Sequence, residues 1–403
     1  RWNAAMKPPH IKLRKDRDRR LRFGHCWVYS NEVDIGSTPL RAFEPGQPVD
    51  ILDYRDKWLG SGYVNPNSLI CARLVSRDPD HPLAESLIVH RLKIALSLRE
   101  RLYPEPFYRL VFGESDGLPG LVVDRYDDVL VVQINTAGME RVRGEILAAL
   151  DKVLHPASVI LRNDTPARRT EGLLDTVEVA SGQTVDTLSV QEGGLRFHVP
   201  ASSGQKTGWF FDQAGNRQRM LRYAKDARVL DMCSYVGAWG VQAAAGGAQR
   251  VVCVDTSATA LAAAQENAQL NGVAARVEQR RGDAFEVMRE LRADRERFDL
   301  VIVDPPAFIK RRKDLREGTL AYRRLNQLAL QLLSRDAMLI TSSCSHHMSS
   351  EALLQLVQQA GRHLDRGLQL LEQGGQAPDH PVHPAIPETS YLKAFYLRVL
   401  PTF

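Results

Sequence analysis

Between residues 228 and 344, five apolar runs each stop at a polar or reactive side chain, with helical segments between them. ARVLDMCS reaches Asp231 and RVVCVD ends in Asp255. ARVEQRRGD leads to Asp283, FDLVIVDPP ends in Asp304, and DAMLITSSC ends at Cys344. The connectors are helical in pattern: SATALAAAQENAQLNG offers Ser257 as an N-cap and Gly272 as a terminator. Apolar strands joined by helices fold as a parallel sheet with right-handed crossovers. Ligands of such sheets bind at the carboxyl ends of the strands, so four carboxylates and one thiol are expected along a single edge.

The rest of the chain has a different grain, and its 403 residues suffice for two or three domains. Residues 1–80 read as a small β-barrel, with short apolar runs (49–52, 69–72) broken by Gly and Pro. DPDHP at 78–82 reads as a linker. Residues 81–190 read as an α+β middle domain. AESLIVHRLKIALSLRERLY has helical spacing, YRLVFGESDGLPGLVVDRYDDVLVVQI reads as hairpins turned at 115–120, and a helix at about 139–153 precedes the strand SVILRND. Residues 191–403 carry the parallel sheet.

Charge and cysteine usage narrow the function classes. No apolar run approaches a membrane span, and the first twenty residues lack a signal-peptide core. Five scattered cysteines, without a CxxC pair, suit a reducing cytoplasm and argue against a disulfide scaffold or a metal site. The net charge is +5, yet KPPHIKLRKDRDRRLR at 7–22 alone carries eight Lys or Arg against Asp16 and Asp18. KRRKDLR at 310–316, including Lys310, Arg311 and Arg312, is a second basic cluster. Any single charge run is most often a solvated face; two beside functional segments favour a polyanionic partner.

The loop after Asp231, C-S-Y-V-G-A-W-G, has Gly237 and Gly240 in a turn leading to a helix, and Asp255 ends the next strand. An acid at that second strand end is placed for ribose hydroxyls. A pyrophosphate loop needs G-x-G-x-x-G, whereas Cys233 and Ser234 stand near the first glycine here and an acid opens the loop. A carboxylate there repels a pyrophosphate and suits a cationic sulfonium with an amino-acid tail, so S-adenosylmethionine is the expected cofactor.

DMCSYVGAWGVQAAAGGAQRVVCVDTSATAL, FDLVIVDPPAFIK and TSSCSH resemble motifs of bacterial 23S ribosomal RNA cytosine-5 methyltransferases with an N-terminal PUA domain. The resemblance extends to FGESDGLPGLVVDRY and to GQKTGWFFDQAGNR, so it spans nearly the whole chain. It implies a PUA domain, a middle domain and a Rossmann-like class I methyltransferase domain, acting on 23S ribosomal RNA. It also implies a cofactor site from Lys206, Asp212, Asp231, Cys233, Ser234, Gly237, Asp255, Thr256, Asp283, Ala284 and Asp304. A homodimer stays open.

DPPAF at 304–308 resembles an acidic-Pro-Pro-aromatic loop used beside target amines. Asp304 is an acceptor there, Pro305 and Pro306 fix the loop, and Phe308 offers a stacking face. Cys344 decides the target atom. Cytosine carbon 5 is a weak nucleophile until a thiolate adds to carbon 6, and amino-group methylation needs no thiol. His346, His347 or the 310–316 cluster are candidates for lowering the thiol pKa from about 8.5. A structural cysteine suits Cys233 or Cys253 better, and a Cys344–His346–His347 metal site lacks a second ligand cluster. DPPAF has no second cysteine, which leaves the acceptor of the carbon 5 proton open. The rival readings are methylation of an amino group or of uracil, an NAD-dependent oxidoreductase, and a non-catalytic RNA-binding assembly factor.

Overall fold

The expected sheet forms and gains two strands. In the computed structural model, which describes residues 9–201 and 207–402, its strands are β1 (Arg228–Met232), β2 (Arg250–Asp255), β3 (Val277–Arg281), β4 (Phe298–Val303), β5 (Leu333–Ser343), β6 (Arg366–Gly375) and β7 (Lys393–Pro401). They lie in the order β3-β2-β1-β4-β5-β7-β6. β1 to β5 run parallel, and β7 is antiparallel to both its neighbours. The order reverses between β1 and β4, and a crevice opens at such a reversal beyond the carboxyl ends.

Six helices accompany the sheet: α1 (Ala214–Ala224), α2 (Ala238–Ala245), α3 (Ala258–Leu270), α4 (Ala284–Ala293), α5 (Leu315–Leu332) and α6 (Ser350–His363). Their starts are chemically specified. Ser257 Oγ accepts from the Ala260 amide at 3.1 Å, and Ser349 Oγ from the Ala352 amide at 3.1 Å. Each satisfies an N–H that has no partner inside the helix. Met232, Val254, Val303 and Leu339 of the sheet pack with Leu325, Ala329, Leu353 and Val357 of α5 and α6, all buried. This core fixes the strands, and thereby their polar ends, in one register.

The chain divides into two compact units, and the sheet belongs to the second. The hairpin of strands Thr187–Glu192 and Leu195–Pro200 belongs there as well. A boundary at 190/191 therefore falls inside a β-ladder, whereas Asp379–Thr389 belongs to the first unit. Such a return of the chain leaves no compositional mark.

The first unit holds two five-stranded sheets. One has the order His10–Lys12, Gln47–Leu52, Trp58–Val64, Ile70–Ser76, Trp27–Tyr29; the other runs Thr176–Gly182, Ser158–Asn163, Val129–Ile134, Leu121–Tyr126, Phe107–Phe112. The helix expected over 84–103 spans Glu85–Leu102. The stretch 78–82 forms an exposed connector, but residues 1–80 and 81–186 fall in one compact unit. Tyr63 explains why. Its buried hydroxyl bonds Pro119 O at 2.7 Å and Thr136 Oγ1 at 2.9 Å, and its ring fills the space where Gly138 lacks a Cβ. Glu171 adds a polar tie, accepting from Asn65 at 2.7 Å and Arg73 at 2.9 Å. Among the described residues no helix is long and apolar enough to cross a membrane.

Candidate active site

The loop between β1 and α2 is held in an uncommon backbone shape. Cys233, Tyr235 and Gly237 have φ of +62°, +49° and +81°. For the two non-glycine residues this costs about 1–2 kcal/mol each. Two bonds hold the loop: Ser234 N donates to Val254 O at 2.9 Å, and Tyr235 N to Asp255 Oδ2 at 2.9 Å. The other oxygen of Asp255 accepts from Ser257 N at 2.9 Å. Asp255 thus locks the loop after β1 to the start of α3.

Asp231 is fully buried. Its Oδ2 accepts from the Gly240 amide at 2.9 Å, while Oδ1 has no hydrogen-bond partner among the described residues. Burial pushes its pKa well above the usual carboxylate range, and Asp304 and Asp255 push the same way against the Gly240 bond. The Cys233 thiol is raised too, by burial first and then by Asp304, Asp255, Asp231 and Asp283 together. Four carboxylates from four strand ends therefore act on one point. An orphaned carboxylate oxygen in that field is a poor seat for a pyrophosphate and a good one for a cation. These residues fit the ammonium and sulfonium of S-adenosylmethionine.

The other expected cofactor residues are spread around this point. Asp283 is exposed and caps α4, accepting from the Phe285 amide at 2.9 Å and the Glu286 amide at 3.3 Å. Ala284 opens that helix, and Thr256 is exposed beside Asp255. Gly240 lies within α2 rather than in the turn. A Cβ there would come within 2.5 Å of Cys253 Sγ, so its role is packing. Asp212 is buried, with Oδ2 accepting from Tyr391 Oη at 2.6 Å. Lys206 lies outside the described residues.

Cys344, half-buried, follows directly on β5. The residues around it are tied down from three elements. Ser343 Oγ donates to Tyr322 Oη at 3.0 Å, and Tyr322 Oη lies 2.9 Å from Ser345 Oγ. Ile309 N donates to Ser345 Oγ at 3.3 Å, and Lys393 Nζ donates to Ser345 O at 2.6 Å. Tyr322 and Lys393 escaped the sequence reading. The available signal was a lysine opening the apolar strand KAFYLRVL. His346 and His347 are exposed, with ring centroids 5.5 Å apart.

Asp304 has three donors of its own: Gln213 Nε2 at 2.9 Å, Ser342 Oγ at 2.6 Å and Trp239 Nε1 at 3.0 Å. Its carboxylate thereby joins the Pro305-Pro306 turn to β5 and α2. Phe308 packs against Tyr322 (4.8 Å between centroids) and Phe285 (6.4 Å), which turns its ring toward the core. Lys310, Arg311 and Arg312 are exposed. The N-terminal run is partly neutralised, since Arg20 pairs with Glu32 at 2.8 Å and Arg22 with Asp18 and Asp53 at 2.5 and 2.8 Å.

A family model described as S-adenosylmethionine-dependent methyltransferase matches residues 169–398, and one for a PUA-like domain matches residues 11–77. Ribosomal RNA large subunit methyltransferase I of Tolumonas auensis is 38% identical over 399 residues, 97% of this chain and 99% of that protein. The protein of the same name from Erwinia tasmaniensis is 37% identical, covering 96% of this chain and 98% of that one. A solved structure described as an S-adenosylmethionine-dependent methyltransferase from Streptococcus mutans superposes with a TM-score of 0.82 at 20% identity, over 97% of this chain and 100% of that chain. At that identity it speaks for the fold alone. The cofactor is S-adenosylmethionine and the fold is α/β with an N-terminal PUA-like domain, as expected. Matched along nearly its entire length, the chain belongs to the family of S-adenosylmethionine-dependent methyltransferases that includes those two ribosomal RNA large subunit methyltransferase I proteins.

Proposed function

We propose that this chain methylates carbon 5 of a cytosine in 23S ribosomal RNA, in the cytoplasm, through a covalent adduct with Cys344. The observation that carries the reading is the place of Cys344: it follows directly on β5, beside the Asp304 strand end, with its neighbours clamped by Tyr322, Ile309 and Lys393. A cysteine kept only for packing needs no such cradle. The names of the relatives supply the substrate class. Residues 1–80 are assigned to RNA binding as a PUA-like domain, 81–190 to an α+β middle domain, and 191–403 to catalysis. Lys310, Arg311 and Arg312, exposed after the Pro305-Pro306 turn, are assigned to phosphates.

When bound, S-adenosylmethionine would supply an electrophilic methyl group, and Asp231, Asp255, Asp283 and the Cys233–Gly237 loop would hold it. The Cys344 thiolate adds to cytosine carbon 6, and the displaced electron pair makes carbon 5 nucleophilic. Once carbon 5 carries the methyl group, its hydrogen leaves as a proton and the freed pair expels the thiolate.

RNA tritiated at cytosine carbon 5 tests this directly. Tritium should reach water in step with methylation, and Cys344→Ala should abolish both while still binding S-adenosylmethionine. RNA containing 5-fluorocytosine should trap the wild-type enzyme covalently and leave the variant free. Methylation without tritium release would move the target to the amino group.

A further inference from the structure

The side chain of Lys393 is placed where a cation is expensive. It opens β7 directly opposite Ser343 and is only 8% exposed. Its Nζ donates one proton to Ser345 O at 2.6 Å. Burial drives its pKa down to about 8, and Cys344 acts against this. A buried ammonium without an anion costs several kcal/mol, and a methionine would fill the same volume at no such cost. The neighbours bonded around it offer no anion among the described residues. Ser343, Ser345 and Tyr322 are uncharged hydroxyls bonded to one another, and Ser345 meets Lys393 through its neutral carbonyl.

Building on the assignment of Cys344 as nucleophile, we propose that Lys393 is the counter-ion that holds Cys344 as a thiolate and takes the thiolate back when the product leaves. The proton of the Cys344 thiol passes to the Lys393 amine, giving a thiolate and an ammonium with no change in net charge. Addition to carbon 6 moves the negative charge into the ring. Expulsion of the thiolate returns that charge to its place beside the same ammonium. The bond to Ser345 O sets the direction of the Lys393 side chain, and the β5–β7 register sets its height. Lys393 acts through Cys344, so it is a positioning residue rather than a catalytic one.

A purely structural role would be limited to clamping Ser345 O, and three variants separate the two. Lys393→Gln keeps a donor for that carbonyl and removes the charge; Lys393→Arg keeps both; Lys393→Met keeps only the bulk. The readout is the pH midpoint of Cys344 thiolate absorbance in the ultraviolet, each enzyme measured against its own Cys344→Ala counterpart. Wild type and Lys393→Arg should ionise below the ordinary thiol value of about 8.5. Lys393→Gln and Lys393→Met should ionise at least about one unit higher, a ten-fold loss of thiolate near neutral pH. Their methylation rate should drop about ten-fold at pH ~7 and recover as the pH is raised toward ~9. Unchanged melting with S-adenosylmethionine shows that each variant is folded. An equal midpoint in wild type and Lys393→Gln overturns the proposal and leaves the clamp. A Cys344→Ala enzyme that still methylates carbon 5 overturns the nucleophile instead, a separate outcome because the midpoint is read without turnover.

Discussion

Asp231 is the residue where binding and stability pull in opposite directions. Its buried oxygen, without a partner among the described residues, fits a cation, yet burial and the neighbouring acids raise its pKa well above the usual value in the empty fold. The folded state then holds a proton that the unfolded chain has already lost, in the window from about pH 4 up to the raised native pKa. Stability of the cofactor-free protein should therefore fall as pH rises through that window. Asp231→Asn keeps an acceptor for the Gly240 amide and removes the ionisation. Its melting temperature should be flatter with pH and higher than wild type at neutral pH, while its S-adenosylmethionine affinity falls by about 1–3 kcal/mol. Calorimetry across pH, with and without cofactor, reads both. Parallel curves for the two proteins would remove the assignment of Asp231 as a strained cofactor acid. Cofactor binding stabilises only the folded state, so the wild type should recover most at the pH where it is weakest alone.

At the scale of elements, β1, its loop and α2 form one device, and Gly240 is its tightest point. A Cβ there would lie 2.5 Å from Cys253 Sγ and 3.1 Å from Asp231 Oδ2, both in fully buried residues. Gly240→Ala should destabilise by about 1–3 kcal/mol through overpacking, and the double variant with Cys253→Ala should recover part of that. Denaturant unfolding of the four proteins gives the coupling; additive effects would place the strain elsewhere. This device was half legible in the sequence. Asp231, Asp255 and Gly237 show in the linear pattern because each strand announces its own end. Gly240 was assigned to the turn because a sequence shows that a glycine is present and not which atom crowds it. The same limit explains Lys393 and Tyr322. Both bond the residues flanking Cys344 from other elements, and β7 pairs antiparallel with β5, a pairing that strand-by-strand periodicity does not contain. Residues 1–80 and 81–186 fall in one compact unit for a related reason: Tyr63 and Gly138 fit each other across a stretch whose composition reads only as a connector.

For the whole molecule the open question is which of its positive charges meet RNA. The N-terminal run looked uniform in sequence, but the structure sorts it. Arg20 and Arg22 are committed to Glu32, Asp18 and Asp53, and all three of those acids are mostly shielded from water. Lys15, Arg17 and Arg19 are exposed, and the contact of Arg19 with Asp16 spans 3.7 Å between two largely exposed side chains, where an ion pair is worth little. Charges free to meet phosphates release counterions, and each contact adds about 0.7–0.9 to the slope of log affinity against log salt. Replacing Lys15, Arg17 and Arg19 with Ala should lower that slope by about 2–3 and weaken binding to any ribosomal RNA fragment, with melting unchanged. Replacing Arg20 and Arg22 should do the reverse, lowering the melting temperature first because Glu32 and Asp53 lose their partners. Filter-binding titrations over a range of salt, beside thermal melts, give the two quantities for both sets. If the exposed set leaves the slope untouched, the first-unit run is a solvated face, and the phosphate contacts belong to Lys310, Arg311 and Arg312, whose triple Ala variant should then carry the entire loss of slope.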